Sequence, residues 1–207
     1  MDSARRLLSA APEAAAARLL GAHVESRIGG DLVRMRLTEV EAYGGVGEDP
    51  GSHAFRRRSG RNGAMFGAPG HAYVYFIYGM HHCLNVTIRP VGEAGAILLR
   101  AGEVVAGLEV ARSRRPGAAD QDLARGPARL CLVLGVTRVL DGVDMLGGSG
   151  AELRLQLAPA PAAVVETGPR TGVSGAGSAT LWRFFLPNEA TVSTFRPAVP
   201  RKPRSTG

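Results

Sequence analysis

Glu41 is the first residue to consider for chemistry. Val33, Met35 and Leu37 alternate with Arg34, Arg36 and Thr38, the pattern of a strand with one buried face. If the two-residue period continues, Glu39, Glu41 and Tyr43 lie on the same face as those apolar residues, which aims two carboxylates inward. A carboxylate without its water gains proton affinity unless donors compensate, which is how a water-activating base is made at neutral pH. The same pattern also allows Glu39 and Glu41 to pair with arginines at a sheet edge.

Tyr43, Tyr73, Tyr75 and Tyr78 are all the tyrosines of the chain, and they fall within 36 residues, close to an arginine cluster formed by Arg56, Arg57, Arg58 and Arg61. Aromatic faces beside guanidinium groups can stack nucleobases while the arginines hold phosphate, each stacked base being worth about 1 to 3 kcal/mol. Core aromatics in ordinary strands would give the same composition. Tyr75 and Tyr78 have opposite parity, so a turn near Gly79 is needed to present Tyr78. His53, His71, His81, His82 and Cys83 match no zinc spacing, and no metal is expected. Gly60, Gly63, Gly67 and Gly70 lack the lysine and serine of a phosphate loop, so no nucleotide cofactor is expected. No Gly-x-Ser-x-Gly elbow occurs. The one lysine, Lys202, stands near the C-terminus, so no well-placed amine is available for a Schiff base.

These residues need a scaffold, and the chain is long enough for one. It has 207 residues, 45% of them hydrophobic, and a net charge of +7 carried almost wholly by arginine. As 28 glycines and 13 prolines accompany the arginines, genomic composition accounts for arginine richness as well as function does, so the excess alone makes nucleic acid only a leading candidate partner. Cys83 and Cys131 are too few for a disulfide framework, no apolar stretch reaches the roughly 20 residues that span a bilayer, and no signal peptide is evident; a cytoplasmic protein is expected. Helices are predicted over 12–20, from about Val104 to Ala111 with Pro116 and Gly117 as the stop, and over 127–135. Strands are predicted from Val33, over 73–78, 84–88, 96–99, 153–157 and 181–186. The polar segment 44–63 reads as a loop. The sum is one mixed α/β domain over 12–195, with a flexible N-terminal segment over 1–11 and a basic, proline-rich tail over 196–207.

Several segments, taken in order, resemble the alkyladenine DNA glycosylase family, also called methylpurine or 3-methyladenine DNA glycosylases of the human type. They are TEVEAYGG from Thr38, EDPGSHAF from Glu48, RNGAMFGAPGHAYVYFIYGMHHCLNV from Arg61 and AILLRA from Ala96. Weaker matches are GPARLCLVLGV from Gly126, GPRTGVSG from Gly168 and LWRFF from Leu181. The resemblance implies a curved, largely antiparallel β-sheet with flanking helices. It implies a monomeric enzyme of base excision repair, without cofactor or membrane association, acting on double-stranded DNA that contains damaged purines. Such an enzyme flips an alkylated or deaminated purine out of the duplex and hydrolyses its N-glycosidic bond, leaving a free base and an abasic site, without lyase activity.

By motif, the resemblance makes Glu41 the general base and gives Arg100 the task of helping to hold the water and the DNA backbone. Tyr43, His53 and Tyr75 resemble residues lining the base pocket, and Asn85 resembles the residue that crowds the 2-amino group of guanine. Tyr78 resembles the side chain that fills the gap in the DNA stack, and residues 172–175 resemble a pocket-wall loop. Arg56, Arg57, Arg58 and Arg61 are expected to contact phosphates. The chain departs from the human pattern by one extra residue between Glu41 and His53, by His81 and His82 in place of an aromatic pair, and by the loop after Gly175, which lacks an acidic residue. The last two departures bear on lesion preference. The competing class is a noncatalytic nucleic-acid-binding protein, with an RNA-directed protein as a further alternative.

Overall fold

The computed structural model describes residues 3–148 and 150–198. Its centre is strand β2, Asp31–Tyr43, preceded by α1 (Ser3–Leu8), α2 (Pro12–Leu19) and β1 (His23–Ile28). There follow β3 (Ala72–Ile77), β4 (His81–Thr87), β5 (Ala96–Ala106), α3 (Leu108–Arg114) and α4 (Pro127–Leu134). The last elements are β6 (Leu153–Gln156), β7 (Glu166–Gly168) and β8 (Arg183–Phe185). The main path of the sheet runs β3-β4-β5-β2-β1-β6, and β8 pairs with both β2 and β7. Every pairing is antiparallel, as the resemblance implied. β2 meets β5 along most of its length, while its other edge is shared by β1 up to Arg36 and by β8 from Glu39 to Glu41. That division of one edge accompanies the curl of the sheet.

The alternation predicted along β2 does not persist. Leu37 pairs with Gly102 and Glu39 with Ala101, so Thr38 is an extra residue; Val40 then pairs with Leu99, which leaves Arg100 extra on β5. Such bulges reverse the parity of the strand. Val33, Met35 and Leu37 therefore share the main core with Val40 and Ala42. Glu39, Glu41 and Tyr43 turn to the opposite face, contrary to the same-face expectation. Both glutamates are nonetheless fully buried.

On the core side, β2 is joined by Leu84 and Val86 of β4 and Ile97 and Leu99 of β5, with Leu19 of α2 and Leu130, Val133 and Leu134 of α4 packed over them. The other face carries Tyr73, Tyr75, Cys83, Asn85, Leu98 and Arg100, all facing one cleft. Alternation along β3, β4 and β5 thus sends one set of side chains to packing and the other to a cavity.

The helix predicted from Val104 begins later. Residues 96–106 continue as strand because they pair with β2, and Gly107 makes the break at φ 75°. A Cβ there would lie 1.9 Å from the Leu32 carbonyl oxygen, so only glycine lets the chain turn this close to β2. The helix over Pro127–Leu134 stands where expected, with Gly135 at φ 72° beyond its end. Segment 1–11, expected to be flexible, contains α1. Leu8 is fully buried, its carbonyl accepts from the Arg89 N–H at 3.0 Å, and Arg5 pairs with Asp144. Of the expected tail, residues 199–207 lie outside the described residues. No described helix is long and apolar enough to cross a membrane.

Candidate active site

The cleft has a volume of about 520 Å³, within the range of about 300 to 1,000 Å³ usual for small-molecule pockets. It is lined by Glu41, Tyr43, His53, Tyr75, Tyr78, Asn85 and Arg100 together, so residues from five separate sequence segments converge on one space. Glu41 lies at its floor. Its Oε1 accepts the Thr171 N–H at 2.7 Å, its Oε2 accepts the Tyr43 hydroxyl at 2.9 Å, and Arg100 Nη1 stands 3.4 Å from Oε1. Burial raises the proton affinity of this carboxyl above the ordinary value, against the opposing pull of Arg100, the Thr171 N–H and the Tyr43 hydroxyl.

Glu39 is two residues away and electrostatically opposite. Burial would raise it too, but Arg100 and Arg183 outweigh burial and hold it below the usual carboxylate range. Arg100 Nε donates to its Oε1 at 2.9 Å and Arg183 Nε at 2.6 Å, while the Ser193 N–H donates to Oε2 at 2.7 Å. Glu39 thus holds Arg100 beside Glu41. The two neighbouring carboxyls have proton affinities shifted in opposite directions.

The aromatic wall comes from β3. The rings of Tyr75 and His53 meet edge to face with centroids 4.7 Å apart, and Tyr73 lies 5.6 Å from Tyr75. His53 Nδ1 and the Tyr73 hydroxyl share a hydrogen bond of 2.9 Å. Burial, and secondarily the charge of Arg61, lowers the pKa of His53, which favours its neutral ring. Asn85 Nδ2 donates to the Tyr73 carbonyl at 2.9 Å. At the rim, the β3–β4 turn holds Tyr78 at φ 55° followed by Gly79 at φ 70°. Two successive left-handed residues make a tight primed-type hairpin turn, and a bulky residue in that region is rare. The turn leaves Tyr78 84% exposed.

Residues 6–190 match the methylpurine-DNA glycosylase (MPG) family. The chain belongs to this family. A provisionally named 3-methyladenine DNA glycosylase of Streptomyces avermitilis is 50% identical over 204 residues, covering 98% of this chain and 93% of the relative. A protein of Nocardia farcinica with the same provisional name is 50% identical, covering 95% of this chain and 91% of its own. One from Mycobacterium tuberculosis is 44% identical, with 89% and 90% covered. Membership of the methylpurine-DNA glycosylase family supports DNA glycosylase activity toward alkylated purines.

In this glycosylase fold the four arginines expected on phosphate stand apart from the cleft lining. Arg56, Arg57, Arg58 and Arg61 are exposed on the loop between β2 and β3. Asn62 shapes that loop: its Nδ2 donates to the carbonyls of His53 at 2.8 Å and Arg57 at 3.1 Å, and its Oδ1 accepts the Ser59 N–H at 2.7 Å. Of the loop over residues 172–175, Gly172, Val173 and Ser174 line the cleft. Among the described residues no cluster of three or more His, Cys, Asp or Glu could hold a metal ion, and Cys83 and Cys131 are both free. Sequence reasoning missed Arg183 and Ser193, which hold Glu39, and Arg170 with Asp49, which join two loops beside Tyr43. Tyr73 enters the sequence reading only as a member of the tyrosine cluster. The one signal for Arg170 was the Gly-Pro-Arg-Thr run itself, since a buried arginine and an exposed one look alike in sequence.

Proposed function

We propose that the protein is a monofunctional glycosylase that removes alkylated or deaminated purines from double-stranded DNA. The observation that carries this reading is the buried Glu41, with its raised proton affinity, at the floor of a cleft walled by Tyr43, Tyr75 and His53 and rimmed by the exposed Tyr78. A nucleotide cannot be attacked while stacked in a duplex. Extruding it costs a few kcal/mol, least for a damaged or mismatched base. Tyr78, exposed on the β3–β4 turn, inserts where the base was and replaces part of the lost stacking.

The everted purine enters the cleft. Alkylation puts positive charge on the ring, which makes it both a better leaving group and a better partner for tyrosine faces. Arg170 covers one face of Tyr43, with its guanidinium carbon 4.7 Å from the ring centroid, so the opposite face is the one offered to the base. Asn85, on the cleft wall, crowds a 2-amino group and so disfavours normal guanine. As the glycosidic bond lengthens, Glu41 takes a proton from water, whose oxygen bonds to C1′ of the sugar, and the bond's electron pair leaves with the purine. The carboxylate also stabilises positive charge developing on the sugar, and Arg100 helps hold the water and backbone. The products are a free base and an abasic site in an unbroken strand.

The test is single-turnover excision from a duplex carrying one alkylated purine. Release of free purine, with strand breakage appearing only after alkali, is the expected result. Tight binding with no base release would favour the noncatalytic alternative, in which the tyrosines are a stacking platform.

A further inference from the structure

The loop that follows β2 and the loop that follows β7 are joined by one ion pair lying entirely inside the protein. The side chains of Arg170 and Asp49 are 0% and 2% exposed. Arg170 Nη1 donates to Asp49 Oδ2 at 2.6 Å and Nη2 to Oδ1 at 2.7 Å, a two-armed pairing that fixes the guanidinium plane. Asp49 in turn accepts the N–H groups of Gly44 at 3.1 Å and Gly51 at 2.9 Å, which knots its own loop. The space is tight. A Cβ on Gly51 would lie 2.8 Å from Arg170 Nη2.

The guanidinium reaches both residues that follow Glu41. Its Nη1 donates to the Ala42 carbonyl at 2.9 Å, and its carbon lies 4.7 Å from the Tyr43 ring centroid. The next residue along the chain, Thr171, returns its N–H to Glu41 Oε1 at 2.7 Å. A buried ion pair adds little stability over apolar side chains of like volume, so stability alone does not account for one placed here. We infer that Asp49 and Arg170 are positioning residues for Glu41: the pair clamps Ala42, Tyr43 and Thr171 so that the carboxylate keeps its two donors and its aim into the cleft. This rests on the reading of Glu41 as the base.

The signature is a shift in pH dependence. The groups facing Glu41 are Arg100 and Cys83 from neighbouring strands, Glu39 and Tyr43 from its own, and Arg170 with the Thr171 N–H from the loop. Loosening the clamp withdraws the Thr171 donor, which favours the charged carboxylate, so the base needs a higher pH to ionise. In Asp49→Asn and Arg170→Lys, the acidic limb of the single-turnover rate of 7-methylguanine release from duplex DNA is expected to move up by about one pH unit. That is about a tenfold loss on the limb, with affinity for the lesion duplex retained. The doubly substituted Asp49→Asn/Arg170→Met chain leaves no buried charge unpaired and serves if the single variants unfold.

A limb that stays in place in any folded variant would overturn the inference, and so would failure of all three to fold, because the pair would then be structural. Glu41→Gln separates the two readings. If that variant keeps its turnover, the base assignment fails; if it loses turnover and the clamp variants keep the wild-type limb, only the positioning role fails.

Discussion

Replacing Glu41 with Gln isolates charge from shape. The site has two fixed demands on this side chain: the Thr171 N–H must donate to one position at 2.7 Å, and the Tyr43 hydroxyl meets the other at 2.9 Å. A glutamine satisfies both, with its carbonyl toward Thr171 and its amide toward a Tyr43 hydroxyl that rotates to accept. What disappears is the group proposed as the base. Removing a general base costs about 10²- to 10⁴-fold, or about 2.7 to 5.5 kcal/mol of barrier. Stability should move the other way. Glu41 has a folded-state pKa above its unfolded value, so it favours the fold below the unfolded pKa, and that contribution is lost as pH rises through the folded pKa. At neutral pH the wild type therefore carries a cost that the amide lacks, and Glu41→Gln should melt higher. Each kcal/mol of relief corresponds to about 2 to 4 °C for a chain of this size. Single-turnover excision and thermal melting, run side by side with lesion-duplex binding, test both halves. Turnover within tenfold of wild type would refute the base assignment, and a lower melting temperature at pH 7 would refute the electrostatic account.

Glu39→Gln should behave in the opposite sense, since it leaves the buried Arg100 and Arg183 undercompensated; a loss of about 3 to 5 kcal/mol is expected in denaturant unfolding at pH 7. Because the pKa of Glu39 is depressed, its contribution is present above the unfolded carboxyl value and is lost as pH falls through the folded one, so the gap between wild type and variant should close in acid. Tyr78→Ala should weaken lesion-duplex binding by the value of one stacked ring, about 1 to 3 kcal/mol or roughly 5- to 150-fold, without lowering the melting temperature, because the ring is 84% exposed. Unchanged binding and excision would remove it from the wedge role. Replacing Arg56, Arg57, Arg58 and Arg61 with Ala should reduce the slope of log affinity against log salt by about 0.9 for each DNA phosphate that is no longer neutralised. An unaltered slope would assign phosphate binding to other arginines.

Much of the scaffold could be read directly because local chemistry and tertiary structure agree there. Pro127 and Gly135 bracket a helix for reasons internal to the segment, and the apolar runs at β3, β4 and β5 are strands in the structure. The helix predicted from Val104 failed where local spacing and pairing disagree: an edge of β2 captured residues 104–106, and nothing in their own sequence announces that partner. The face reversal in β2 was hidden for the same reason, since Thr38 looks like any other alternating polar residue until β5 is laid beside it. In the site, Glu41 and the tyrosines could be singled out by type and spacing. Arg170, Arg183 and Ser193 could not, because their partners lie more than a hundred residues upstream and only the closed fold brings a guanidinium to a carboxylate.

Thr38 also has a consequence for how this protein can vary. By stepping out of the ladder it lets the rear half of β2 serve two faces, Val40 and Ala42 in the core and Glu41 and Tyr43 in the cleft, so changes at Val33 or Met35 should surface in unfolding experiments and changes at Glu41 or Tyr43 in excision kinetics as well as in stability. Excision of that single threonine would set Leu37 and Glu39 side by side opposite Gly102 and Ala101, an unbroken ladder in which Val40 still faces the core and Glu41 the cleft, at the cost of the 2.8 Å hydrogen bond that joins Thr38 to Thr191.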